Sequence, residues 1–215
     1  METMLSFNGV CAGYGNTRVL DKLTFVVPKG LIFGIIGPNG SGKTTMLNAL
    51  VGLIIPTEGS IQFQGRNITR MTPDARCRLG IGRTFQIPRP FERMSVYENV
   101  LSAAVFGAGY SQIVGREAAL EALELTGLAA KRNQLAGGLT LLDRKRLEIA
   151  RAIGTNPSLL LLDEVAAGLT NAEAEYVARL VYRLKQGGYT IIWIEHIIEM
   201  MMNATDHLMC MAEGR

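Results

Sequence analysis

Charge is scarce in this chain. Of 215 residues, 19% are Asp, Glu, Lys or Arg against 48% that are apolar, and 22 basic side chains nearly balance 19 acidic ones to leave a formal charge of +3. The basic residues are scattered rather than gathered into a stripe, so no phosphate-tracking surface is expected and nucleic acid is not an expected partner. Cysteine is scarce too. Cys11, Cys77 and Cys210 are odd in number, far apart and without metal-ligand spacing, which excludes a disulfide framework and points to reduced thiols. Long apolar runs are missing: the longest stretch without charge, residues 99–115, contains Asn99, Ser102, Ser111, Gln112 and several glycines, and is too polar to span a bilayer. Residues 1–10 lack the charged start and apolar centre of a signal peptide. Any work at a membrane is therefore expected from its cytoplasmic face, through another subunit.

What is present reads as α/β. Residues 5–10 and 18–27 alternate like strands, the second closed by the turn Pro28-Lys29-Gly30, and suggest a small antiparallel layer. Residues 31–36 form an apolar run of buried-strand type, followed by a glycine-rich loop and a helix starting near Lys43. A strand over 59–64, a helix over 72–79 with Thr72 as N-cap and Pro73 at its first position, and a strand over 81–86 come next. From 87 to 154 the apolar spacing turns to three and four, over 96–105, 118–125 and 139–153, which predicts a helical insert. Strand and helix then alternate again: 159–162, a helix over 172–185, a strand over 190–194 and a last strand over 207–211. The expected organisation is one domain, with 1–86 and 155–215 as a mainly parallel core carrying the β layer and 87–154 as a helical subdomain.

Gly37-Pro38-Asn39-Gly40-Ser41-Gly42-Lys43-Thr44 has the spacing of a phosphate-binding P-loop, and it lies between a predicted strand and a predicted helix, the context the motif needs. Glycines let consecutive N–H groups turn inward, and the helix N-terminus adds partial positive charge, so the loop is a cradle for the β- and γ-phosphates of a nucleotide. Lys43 supplies a mobile cation, Thr44 a hydroxyl for Mg²⁺, and Thr45 a contact to the α-phosphate. A lysine aimed into a ring of N–H groups is unfavourable without an anion, which argues against an empty structural turn.

Residues 159–162, four leucines, end in Asp163 and Glu164. This places two carboxylates at the C-terminal rim of a buried parallel strand, where α/β proteins bind ligands. Asp163 is the expected Mg²⁺ holder and Glu164 the expected general base for an attacking water. Acids after an apolar strand can also be a solvated loop; the P-loop tips the balance.

With these motifs in order the chain resembles the ATP-binding cassette family from nearly end to end. The resemblance implies that Tyr14, in Gly13-Tyr14-Gly15, stacks on adenine, that Gln86, in Thr84-Phe85-Gln86, senses the γ-phosphate and Mg²⁺, and that His196 acts as a switch close to the γ-phosphate. Residues 166–170, Ala-Ala-Gly-Leu-Thr, look like the loop through which two cassettes communicate, with Val165, Thr170 and Ile197 departing from the usual residues. The family's signature is degenerate. Counting back from Arg146, Ile149 and Arg151 places it at Leu139-Thr140-Leu141-Leu142-Asp143, where Thr140 keeps the expected hydroxyl and, with the N–H groups of the helix start, is expected to bind a γ-phosphate. Leu141 and Leu142 replace glycines and are expected to crowd the nucleotide, and Asp143 replaces glutamine and is expected to repel phosphate.

Residues 81–86, 94–100, 146–152, 166–169 and 194–196 together look like ATPases of branched-chain amino-acid importers. Urea-type importers and lipopolysaccharide-export ATPases use similar wording. The resemblance implies ATP and Mg²⁺ as cofactors, ATP hydrolysis coupled to transport, transmembrane permease subunits and a second ATPase subunit as partners in a homo- or heterodimer, and an extracytoplasmic solute-binding protein as an indirect one. It also implies a peripheral place on the inner membrane, coupling through Pro88, Pro90, Phe91 and Met94 in competition with simple core packing, and further strands after Arg215. A soluble GTPase or small-molecule kinase would leave Gln86 and His196 unexplained.

Overall fold

The computed structural model describes residues 2–215. In chain order its elements are β1 (Thr3–Tyr14), β2 (Thr17–Pro28), β3 (Ile32–Ile36), α1 (Lys43–Val51), β4 (Glu58–Phe63), β5 (Arg66–Asn67), α2 (Pro73–Arg78) and β6 (Ile81–Arg83). There follow α3 (Val96–Ser102), α4 (Gln112–Thr126), α5 (Leu141–Gly154), β7 (Leu159–Asp163), α6 (Asn171–Gln186), β8 (Thr190–Ile194), α7 (Ile198–Ala204) and β9 (His207–Cys210). Contacts divide the chain into two units, residues 1–76 with 190–215, and residues 77–189.

The first unit holds two sheets. Strands β1 and β2 pair antiparallel, β4 joins β1 on its other edge, and the order is β2-β1-β4-β5. In the second sheet β3 lies between β8 and β9, parallel to both, as its unbroken apolar sequence Ile-Phe-Gly-Ile-Ile requires. Phe7 stacks on Phe25 with ring centroids 4.7 Å apart, and Phe25 on Phe33 at 5.8 Å, so aromatic contact runs from β1 through β2 to β3. Arg76 is buried, and its guanidinium donates to the carbonyls of Ala49, Leu50, Thr69 and Met71 at 2.6–3.0 Å, closing the C-terminal end of α1. Burial lowers its pKa to about 10.

The second unit pairs β6 with β7 in parallel and packs α3, α4 and α5 on one another. Its helices start on side-chain caps: Ser95 and Glu98 form a capping box on α3, Thr170 and Glu173 another on α6, and Ser111 and Thr140 cap α4 and α5.

The α/β class, the antiparallel layer and the helical segment stand as expected from sequence. Three local readings differ. The strand expected over 81–86 ends at Arg83, with one further ladder bond from the Thr84 N–H to the Leu161 carbonyl at 2.9 Å, because Phe85 and Gln86 turn out to solvent. The helix expected over 96–105 changes to a π-helical turn, Ala103–Gly107. Helix α7 and strand β5 carry too few residues of clear periodicity to be read from sequence.

Candidate functional site

In the first unit, the loop from 37 to 42 joins β3 to α1. Gly42 is the N-cap of α1 at φ +101°, a left-handed conformation that a side chain would strain, and it supplies no side-chain cap. The first N–H groups of a helix have no intrahelical partner, so this end presents bare donors and partial positive charge. Lys43 is buried and folds back over the loop, donating to the carbonyls of Gly37 at 2.7 Å and Pro38 at 3.0 Å. The Ser41 hydroxyl is buried with no hydrogen-bond partner among the described residues. A fixed ammonium, an orphaned hydroxyl and an open helix end together fit a phosphate group. Thr44 is exposed and Thr45 buried, while Pro38, Asn39 and Gly40 lie at the surface. Tyr14 ends β1 with an exposed ring, and its hydroxyl accepts from the Asn48 amide of α1 at 2.9 Å, which ties it to the helix the loop opens.

The loop is also strapped from behind. The Gly214 N–H donates to the Ser41 carbonyl at 3.0 Å, its carbonyl accepts from the Asp21 N–H at 3.1 Å, and Arg215 pairs with Asp21. A Cβ on Gly214 would lie 1.9 Å from the Val19 carbonyl oxygen, so only glycine fits there. His196 follows β8 at the surface, next to buried Glu195, whose carboxylate accepts from the Trp193 indole at 3.3 Å.

In the second unit, β7 delivers Asp163 and Glu164 at its C-terminal end. Asp163 is buried and pairs with Arg83 at 3.0 Å, while its N–H donates to the Thr84 hydroxyl at 3.1 Å. Burial pushes the Asp163 carboxyl up, with the Arg83 hydrogen bond and charge pulling against it. Arg83 itself lies over the Phe85 ring, 5.3 Å from its centroid. Glu164 is only half-buried, and its carboxylate accepts from the Gln86 amide. Two residues singled out separately from sequence are thus brought into contact. Lys145, on α5, donates to the main-chain carbonyls of both. Among the described residues no group of three or more His, Cys, Asp and Glu forms a metal cluster. The donors expected for Mg²⁺ are of a different kind, hard oxygens taken unit by unit: the Thr44 hydroxyl in the first, the Gln86 amide oxygen and the Asp163 carboxylate in the second.

At the degenerate signature, Thr140 is an exposed N-cap of α5 whose hydroxyl accepts from the Asp143 N–H at 3.3 Å and donates to the Asp143 carboxylate at 3.1 Å. The expectation that Asp143 repels phosphate is corrected by its surroundings. Its carboxylate is buried, pairs with Lys131, and accepts from Arg146 at 2.9 Å, so its charge is answered within the chain. Burial pushes this carboxyl up, but the hydrogen bonds from Lys131 and Thr140 and the charges of Lys131 and Arg146 outweigh it and hold it below the ordinary carboxylate value. Leu141 is exposed and Leu142 half-buried. Ile87 and Phe91 are exposed as well, Phe91 with the Arg151 guanidinium 5.2 Å from its ring centroid, and Met94 is half-buried.

Sequence reasoning missed Arg83 and Lys145. The signal for Lys145 was a charged residue at a position that the helical spacing of 139–153 turns inward. No comparable signal marked Arg83.

Comparison with known proteins follows the same lines. Residues 20–167 match the family described as ABC transporter. The chain is 33% identical over 228 residues to the high-affinity branched-chain amino acid transport ATP-binding protein LivG of Escherichia coli, covering 99% of this chain and 89% of that protein. Among solved structures, the ADP conformation of an ATP-binding cassette of an ABC transporter superposes with a TM-score of 0.90 at 33% identity, covering all of this chain and 89% of that one. A dimeric post-hydrolysis state of another ATP-binding cassette, bound to ADP and phosphate, gives 0.85 at 26% identity, over 98% of this chain and 95% of that one.

Proposed function

Because the chain belongs to the ABC transporter family, we propose that it is the ATP-hydrolysing subunit of an importer for branched-chain or related amino acids. The family makes it an ATPase; the solute comes from the names of its relatives. The observation that carries the reading is the loop at the start of α1, where Lys43 is held over the Gly37 and Pro38 carbonyls beside an uncapped helix end.

In this reading Gly37, Pro38, Asn39, Gly40, Ser41 and Gly42 wrap the β- and γ-phosphates, Lys43 neutralises them, Thr45 contacts the α-phosphate and Tyr14 lies on adenine. Thr44, Gln86 and Asp163 would hold Mg²⁺, which when bound neutralises charge on the phosphate oxygens. Glu164 orients a water and takes its proton as the water oxygen bonds to the γ-phosphorus and the bond to ADP breaks. Gln86, whose amide occupies the Glu164 carboxylate here, and His196 sense the γ-phosphate. The chain acts as a single cassette domain, with 87–154 as its helical subdomain. It works at the cytoplasmic membrane face through permease subunits that it meets at Ile87, Pro88, Pro90, Phe91 and Met94, and a solute-binding protein takes part on the far side.

The partner across the cassette dimer is a second, different ATPase subunit. Thr140 directs its hydroxyl proton to Asp143, so this chain's signature is a poor hydrogen-bond donor to phosphate, whereas its phosphate loop is intact. Calorimetry tests the core of the proposal: MgATP binds the purified parent and the Glu164→Gln variant alike, and turnover falls to a small residual rate in the variant. No heat of binding with the parent protein would sink the whole reading. Unchanged turnover by Glu164→Gln within the complete complex would sink the asymmetric pairing.

A further inference from the structure

Lys145 is a charged side chain where charge is costly. It is 2% exposed, and an ammonium so placed is tolerated only when its N–H groups find acceptors. Two main-chain carbonyls from separate segments serve, Gln86 at 2.7 Å and Glu164 at 2.9 Å. The two acceptors lie 59 and 19 residues from Lys145 along the chain, on either side of α5, so one side chain on the signature helix grips both.

The grip coincides with backbone strain. Glu164 has φ +49°, in the left-handed region that residues with a Cβ avoid. Such a conformation persists only where its surroundings over-determine it. Its carbonyl accepts from Lys145 and from the Ala167 N–H at 3.2 Å, which fixes the peptide plane from two sides. The side chains of the same two residues meet through the Gln86 amide and the Glu164 carboxylate. Main chain and side chains therefore set one geometry together.

We propose that Lys145 is a positioning residue for ATP hydrolysis, fixing the strained main chain of Glu164 and the start of the segment after Gln86 so that the Glu164 carboxylate is presented to the attacking water. This rests on the reading of Glu164 as the general base. Lys145 touches neither water nor nucleotide in this role; it acts through the two carbonyls.

The test uses the complete chain in the assembly that turns over MgATP. Lys145→Met keeps the length of the side chain and removes its donors. It lowers kcat about tenfold while KM for ATP stays within about twofold, because the phosphate loop is untouched. Lys145→Arg, which retains donors, recovers part of the loss. Placed in a Glu164→Gln background, Lys145→Met lowers the residual rate by no more than about twofold, since the carboxylate it positions is gone. The same tenfold penalty in both backgrounds, or a kcat for Lys145→Met within about twofold of the parent, overturns the proposal. Faster hydrogen exchange at the Ala167 amide in Lys145→Met reports the loosened peptide independently of chemistry, and unchanged protection there overturns the placement. Normal turnover by Glu164→Gln alone would instead remove the base assignment. Should Lys145→Met fail to fold, Lys145→Ala, which likewise lacks donors, takes its place in each comparison.

Discussion

Two helices in this chain begin where the family resemblance expects a phosphate, and they begin in opposite ways. Helix α1 starts on Gly42 with no side-chain cap and no acid in its first turn, beneath a lysine. Helix α5 starts on Thr140 with its first turn already occupied by an anion, Asp143, which in turn is matched by Lys131 and Arg146. The same end of the same kind of helix is receptive in one place and satisfied in the other. Sequence spacing alone names a helix start as a phosphate site; what decides is whether the chain has already answered its charge.

The contrast can be broken most severely at α1. Lys43→Ala removes the cation that an incoming phosphate meets, and calorimetry should show nucleotide affinity about a hundredfold weaker, roughly 3 kcal/mol. Gly42→Val puts a branched side chain at φ +101°, with its Cβ 3.0 Å from the Leu20 side chain. It should cost about 2 kcal/mol in denaturant unfolding and weaken nucleotide binding with it.

At α5 the expected effects fall on stability. Asp143→Asn leaves Lys131 and Arg146 without their carboxylate, a loss of about 2 kcal/mol at neutral pH with MgATP affinity for this chain's own loop unchanged. The folded carboxyl lies below its ordinary value of 3.8, so this stabilisation is complete above that value and fades as pH falls through it towards the folded value. Urea titrations of parent and variant should therefore converge in acid. A constant gap from pH 7 to pH 2 would show that the ion pairs are not its source. Thr140→Val should have the smallest effect, about 1 kcal/mol from the lost cap, with Thr140→Ser near the parent. A large fall in nucleotide affinity from either α5 substitution would erase the distinction between the two helix starts.

The phosphate loop was legible in the sequence because everything it needs lies within eight consecutive residues, between a buried strand and a helix. Asp163 and Glu164 were legible for a similar reason, as acids closing a run of leucines. The left-handed turn at Glu164, the Arg83–Asp163 pair and the Lys145 grip were not, since each depends on which distant segment packs alongside. Asp143 shows how a local reading fails. Judged beside Thr140 it looked like a charge facing a ligand, and only its contact with Lys131, from the turn after α4, reveals it as an inward one. The early end of β6 belongs with these, because a six-residue apolar and polar run does not say where a ladder stops.

The strap behind the phosphate loop has a consequence for biosynthesis. Ser41 is held by Gly214, and Asp21 by Gly214 and Arg215, so the motif's frame is completed by residues that follow β9, far from it along the chain. A nascent chain that has emerged only as far as Cys210 carries every letter of the loop but not the backbone partners that fix its shape. Nucleotide is therefore expected to meet a competent cradle only after Gly214 and Arg215 have left the ribosome, however early the loop itself emerges.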